Sequence, residues 1–341
     1  MWREEKEIKN TTLNKSETRL FKRFVKSIPM AICGLALGLA ALGNLLKPAF
    51  EGYGDIVRYI CGGLSFAVLL VFALKLFFDY SHVKEELKTP VPASVLPTAT
   101  MALMLLSAYI SPCLPDAAVA VWYTSVVVHI CLMAFFFRRF IADLKLSTVF
   151  PSWFVVFVGI ATASVTAPAM GALIIGQAAF YAGFVLYFIC LILVVIRMTE
   201  VKLFPEPVRP TIAIFAAPIP LLIVGYFSSF VEPFAGIEGA PAPNSDFIYF
   251  MLAAATVSYI YVLAILPPLL IKKFYPAYSS FTFPLVISAL SFRLGADFIS
   301  AAHEGFGFLV NIADVTQWIA VAAVVFVLLH YIRYFFYELK F

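Results

Sequence analysis

Gly183-Phe-Val-Leu-Tyr-Phe-Ile-Cys-Leu-Ile-Leu-Val-Val-Ile196 is almost continuously apolar. It shows no alternation of apolar and polar residues, so it is not the two-faced strand of a membrane β-barrel. It sits in a longer run, 172–196, that is long enough to cross about 30 Å of hydrocarbon as a helix. Runs of this kind recur along the whole chain. Hydrophobic residues make up 62% of the 341 and charged residues 13%, against about 45–50% and about 25% in an ordinary soluble domain. A globular core does not account for that excess; an all-α integral membrane bundle does.

Reading apolar runs between charged or Pro/Gly-rich breaks gives ten expected spans, at 27–46, 54–79, 94–111, 117–137, 151–169, 172–196, 210–229, 246–270, 279–300 and 313–336. They form one transmembrane domain, 27–337, after a polar segment, 1–26, and before a short tail, 338–341. Cytoplasmic loops retain Lys and Arg. Arg3, Lys6, Lys9, Lys15, Arg19, Lys22, Arg23 and Lys26 precede the first span. Loops after even spans carry Lys84, Lys88, Arg138, Arg139, Lys145, Arg197, Lys202, Arg209, Lys272 and Lys273. Loops after odd spans hold only Lys47, with Arg58 just inside the second span, and are otherwise acidic: Glu51, Asp55, Asp116, Glu232, Glu238, Asp246, Glu304 and Asp314. The alternation predicts a multi-pass protein of the cell (inner or plasma) membrane with both termini cytoplasmic. The first 26 residues lack the apolar h-region of a cleavable signal peptide. Arg19 to Ile28 reads as an amphipathic anchor on the anionic inner leaflet.

Several chemistries have no support. There is no GxxxxGK[ST] phosphate loop, no GxGxxG and no HExxH, and His82, His129, His303 and His330 are far apart. The five cysteines are dispersed, with Cys33, Cys61, Cys131 and Cys190 in apolar runs and Cys113 near a loop, so they read as packing residues. No catalytic residue, cofactor, metal or nucleic-acid partner is expected; the expected partners are small anions and the lipid bilayer. Ionisable residues inside spans are functional candidates because burying them is costly. Arg293 and Asp297 lie four apart in the ninth span and read as a local ion pair, with an anion contact at Arg293 as the alternative. His129 reads as a hydrogen-bonded packing residue.

Prolines fall unevenly. Pro97 lies in the third span, Pro151 and Pro168 bound the fifth, Pro210, Pro218 and Pro220 mark the seventh, and Pro284 the ninth. Spans two, four, six and ten have none, and the eighth has only Pro267 and Pro268 at its end; the first has Pro29 at its entrance and Gly34, Gly38 and Gly43 within. The chain therefore reads as five hairpins, each pairing a kinked helix with a straight one. Helix prolines free carbonyls that need neighbours or water, so the odd helices form the expected inner ring around a central pore and the even ones the outer ring.

Four stretches, in order, resemble the tellurite-resistance/dicarboxylate transporter family, which includes TehA-type bacterial proteins and plant guard-cell slow anion channels. They are Gly34-Leu-Ala-Leu-Gly-Leu-Ala-Ala-Leu42, Phe150-Pro-Ser-Trp153, Phe204-Pro-Glu-Pro-Val-Arg-Pro-Thr-Ile-Ala-Ile-Phe-Ala-Ala-Pro218 and Phe281-Thr-Phe-Pro284. The resemblance implies a homotrimer with one pore per protomer and a phenylalanine of the ninth helix, here Phe283, as the plug that gates it. Ala36 stands where some relatives carry a kinking proline, so the bend of the first helix rests on Gly34 and Gly38. The expected function is a gated passive channel for small monovalent anions such as chloride and nitrate. Gly34, Gly38, Gly159, Phe215, Pro218 and Pro284 are its expected pore lining. The alternative is a proton-coupled carrier for malate-like C4-dicarboxylates or for oxyanions such as tellurite, with Arg293 as a substrate contact.

Overall fold

The computed structural model describes residues 18–201, 204–231, 243–270 and 273–340. Arg3, Lys6, Lys9, Lys15, Lys202, Glu232, Glu238 and Lys272 lie outside them. Among the described residues the regular structure is entirely helical. After an amphipathic helix at 18–27 come α1 (Ile32–Leu46), α2 (Gly54–Phe78), α3 (Thr98–Ile110) and α4 (Pro115–Phe136). Next is α5, in two short turns (Trp153–Phe157 and Thr162–Thr166), then α6 (Leu173–Glu200) and α7 (Pro218–Phe230). The chain ends with α8 (Ser245–Leu270), α9 (Thr282–Ala302) and α10 (Phe308–Lys340). Nine helical stretches among the described residues are long and apolar enough to cross a membrane.

The fifth expected span departs from a helix of any continuous kind. Its two turns are joined and followed by tighter 3-10 turns, Gly159–Ala161 and Ala167–Met170. Glycine, proline and the Thr162-Ala-Ser-Val-Thr166 run are weak helix formers, and the segment stays helical in pieces because it is buried. Trp153, Phe154, Val156 and Ala163 are each almost inaccessible.

Odd and even segments differ as the proline pattern predicts, except that α1 runs as one continuous helix through Gly34 and Gly38. α7 is entered through a 3-10 stretch, Glu206–Ala216, and α9 through another, Pro276–Phe281. α3 follows a short helix, Pro90–Val95, across a break at Leu96 and Pro97. α2, α6, α8 and α10 run 25 to 33 residues without a break. Between 44% and 78% of each long odd segment's apolar window is buried, against 28% to 33% for the even ones, so the even helices face outward. Each odd segment packs on the next, α1 on α3, α3 on α5, α5 on α7 and α7 on α9, and α9 closes back on α1. The even helices pack against their hairpin partners outside this closed ring. The cysteine expectation is corrected in part: Cys33, Cys61 and Cys190 are buried, whereas Cys113 and Cys131 are exposed, the latter on the outward side of α4.

Hydroxyl groups repair the breaks. Pro220 has no N–H for the carbonyl of Ala216, and the Ser288 hydroxyl of α9 donates to that oxygen at 2.6 Å. Pro168 likewise leaves the carbonyl of Ser164 unserved, and the Ser229 hydroxyl of α7 donates to it at 2.7 Å. A buried cation does similar service at one end of the molecule. Lys75, in α2, is fully buried, and its Nζ donates to the Ile28 carbonyl at 2.5 Å and to Glu86 at 2.6 Å. Ile28 lies in the gap between the helix at 18–27 and α1, where no helical N–H serves it.

Ser288→Ala and Ser229→Ala are each expected to lower stability by about 1–2 kcal/mol, since a buried acceptor is left without a donor. Ser65→Ala should cost less, because its acceptor, the Ala36 carbonyl, sits inside unbroken α1. Denaturant or thermal unfolding in detergent checks this; equal costs at all three sites would contradict the repair account.

Candidate functional site

The interruptions of the odd segments meet at one place. A cavity of about 40 Å³ lies inside the ring, and its wall is drawn from all five odd segments and from no even helix. Gly34 and Leu37 come from α1, and Val95, Thr98 and Met101 flank the break before α3. Phe154, Val155, Val158 and Gly159 come from the broken α5, Ile214, Ala217, Pro218 and Leu221 from the change of helix type entering α7, and Ser279, Ser280, Phe283 and Pro284 from that entering α9. Proline and glycine put the breaks there, and each break turns side chains of the adjoining turn toward the axis. A water needs about 10–15 Å³ of such space, so the cavity has room for a few waters and none for an anion with its full hydration shell.

Five expected lining residues are brought together here: Gly34, Gly159, Pro218, Phe283 and Pro284. Phe283 is 6% exposed. The backbone that carries it is held against α1, because the Thr282 hydroxyl lies 2.9 Å from the Gly34 carbonyl and 2.7 Å from that of Ser279. Gly38 is not part of the lining. It is the seat of that contact: a Cβ there would run into the Thr282 side chain and come within 3.1 Å of the Phe283 nitrogen. Phe215 is also displaced from the lining. Its ring backs Phe154 at 5.6 Å and meets Tyr261 of α8 at 6.0 Å, on the outward side of the wall.

Among the described residues no charged side chain lines the cavity. The Arg293–Asp297 expectation is corrected: Arg293 pairs with Asp314 of α10, while Asp297 is exposed. Sequence spacing along one helix brought Asp297 within range, but the neighbouring helix supplies the nearer carboxylate. His129 is fully buried between the Thr100 hydroxyl, 2.7 Å from Nδ1, and the Val156 carbonyl, 3.1 Å from Nε2. A carbonyl only accepts, so Nε2 carries the hydrogen; both ring nitrogens are engaged, as expected of a packing residue.

The polar groups of the wall are the hydroxyls of Thr98, Ser279 and Ser280. Thr98 donates to the Val95 carbonyl at 2.6 Å. Three α-helices also begin at this wall, at Thr98, Pro218 and Thr282, and helix N-termini carry a partial positive charge. Each of these starts directly follows a short helix or 3-10 stretch, so the end of one helix meets the start of the next at the wall. Val95, Thr98, Met101 and Phe154 are lining residues the sequence reading misses; the signal was Pro97 for the first three and Pro151 for Phe154. Among the described residues no three His, Cys, Asp or Glu lie close enough to hold a metal ion.

The voltage-dependent anion channel family matches residues 24–335, which takes in every helix of the ring. No curated protein matches the sequence. A multi-pass helical bundle, a ring of interrupted helices around an uncharged cavity and a family match over nearly the full length agree: the chain belongs to the voltage-dependent anion channel family.

Proposed function

We propose that the protein is a gated, passive channel for small monovalent anions such as chloride and nitrate, and that Phe283 is its plug. The observation that carries this reading is the cavity wall: all five odd segments, four of them interrupted, with no even helix and no charged side chain among the described residues, and with Phe283 buried in it. An anion entering such a space sheds water, which costs energy. Hydroxyl dipoles, helix N-termini and the positive edges of aromatic rings offset part of that cost. They do so without the deep well that a buried Lys or Arg creates, and conduction requires that the ion also leave.

In this reading Phe283 closes the path, and its support is that its buried side chain shares the cavity wall with Gly34 and Gly159, the two positions there with no side chain. Pro284 and the Thr282 hydroxyl fix the first turn of α9, so the plug sits on a rigid base. Ten crossings, cytoplasmic termini and a homotrimer with one path per protomer complete the reading, with α5 counted as the tenth crossing. A malate carrier is less well served, since a dicarboxylate brings two charges to a wall without a cation and Arg293 is already paired.

The test is anion current across bilayers containing wild-type protein or Phe283→Ala, with chloride, nitrate and malate compared under and without a proton gradient. The expected result is a rise on the order of tenfold or more for chloride and nitrate, since lowering the barrier by about 1.4 kcal/mol already gives tenfold, with no dependence on the proton gradient. Silence from both proteins together with proton-driven uptake of labelled malate would overturn the channel and establish the carrier.

A further inference from the structure

Away from the ring cavity, a cleft of about 520 Å³ opens where Lys273 and Phe274 meet the last turns of α10. Lys273, Arg333, His330, Tyr334 and Tyr337 border it, with Glu338 at its edge. Among the described residues no carboxylate pairs with either Lys273 or Arg333. Two full cations therefore face one acid across this opening. Phe274 forms an aromatic floor, its ring 5.5 Å from His330 and 6.0 Å from Tyr334. His330 Nδ1 donates to the Phe326 carbonyl at 2.8 Å, which leaves Nε2 as the ring's remaining polar atom. Arg333 donates to the Tyr337 hydroxyl at 3.3 Å, so the hydrogen of that hydroxyl is left for another acceptor.

The surroundings are those of a membrane interface. Phe336 and Tyr337 are 70% and 51% exposed, as in the aromatic belts that mark headgroup level. The amphipathic helix at 18–27 docks on the same end of α10, through Phe24 against Phe335 at 5.4 Å and the Tyr334 hydroxyl donating to the Ser27 carbonyl at 3.0 Å. Its Lys22, Arg23 and Lys26 are exposed.

We propose that this cleft binds the phosphate of an anionic membrane lipid and that the bound headgroup braces the turn that carries Phe283. Phosphate brings acceptors only, matching the donors of Lys273, Arg333 and Tyr337. The lipid's chains run beside exposed Phe336. The bracing follows from connectivity: Phe274 stands two residues before the turn Pro276–Phe281 that leads into α9, and the Tyr331 hydroxyl ties that turn to α10 by donating to the Pro276 carbonyl at 2.7 Å. A headgroup that bridges Lys273 and Arg333 adds a second tie between the same two elements. This bracing role rests on the channel reading; the binding site does not.

The test is native mass spectrometry of the whole protein from mixed phosphatidylcholine and phosphatidylglycerol. Wild type should retain phosphatidylglycerol preferentially, and Lys273→Gln/Arg333→Gln should lose roughly thirtyfold of that preference, at about fivefold per interfacial cation. Arg333→Lys should keep most of it, because the charge remains. Equal retention by wild type and the double variant would overturn the site. Protection of wild type against heat by inorganic phosphate alone, to the same extent as by phosphatidylglycerol and lost in the double variant, would also overturn it in favour of a soluble-anion site. For the bracing, wild-type current should depend on phosphatidylglycerol, and the double variant's should not; equal dependence would overturn that half. A protein that retains the lipid yet passes no current overturns the channel and leaves the cleft, so the two readings fail separately.

Discussion

Inside a bilayer an unserved backbone carbonyl has no water to turn to, and every other feature of this protein follows from how that constraint is met. Proline and 3-10 turns interrupt the ring segments, and each interruption strands hydrogen-bonding groups. Ser288 and Ser229 reach across from neighbouring ring helices to serve the carbonyls that Pro220 and Pro168 cannot. The repairs tie α7 to α9 and α5 to α7, so the groups that permit irregular backbone also close the ring. Straight helices need no such help and are free to stand outside, with apolar faces toward lipid.

The same constraint shapes the wall. A helix that restarts after a break presents a new N-terminus, and the restarts at Thr98, Pro218 and Thr282 all fall at the cavity. Breaking the ring segments there therefore brings helix ends, hydroxyl groups and the cavity to one place, with no charged side chain among the described lining residues.

The architecture was largely legible in the sequence because it rests on local signals. Apolar run length located the spans, and the proline distribution separated inner from outer helices before any contact was known. Within the site, Gly34, Gly159, Pro218, Phe283 and Pro284 were legible for the same reason, being at or next to the breaks. What escaped depends on neighbours distant in sequence. Asp314 is 21 residues from Arg293, and only the packing of α9 on α10 brings them together. Phe215 and Gly38 lie on ring segments but face their flanks, since a break changes which side of a helix meets the axis. The burial of Lys75 was invisible because one of its partners is a backbone carbonyl, 47 residues away, that any residue type could have offered, and the other, Glu86, is a single acid among several on that stretch.

Taken alone, α5 is not a finished membrane-spanning helix. Its turns of five residues close too few ladder bonds to shield the backbone, and helix nucleation is unfavourable without neighbours. α6, 28 residues long, unbroken and the most apolar of the nine membrane-length stretches, follows at once. In the fold α5 is sheltered by α3, α6 and α7, which all pack on it. The wall segment with the least helix of its own therefore has its shape set by its neighbours rather than by its own hydrogen-bond ladder.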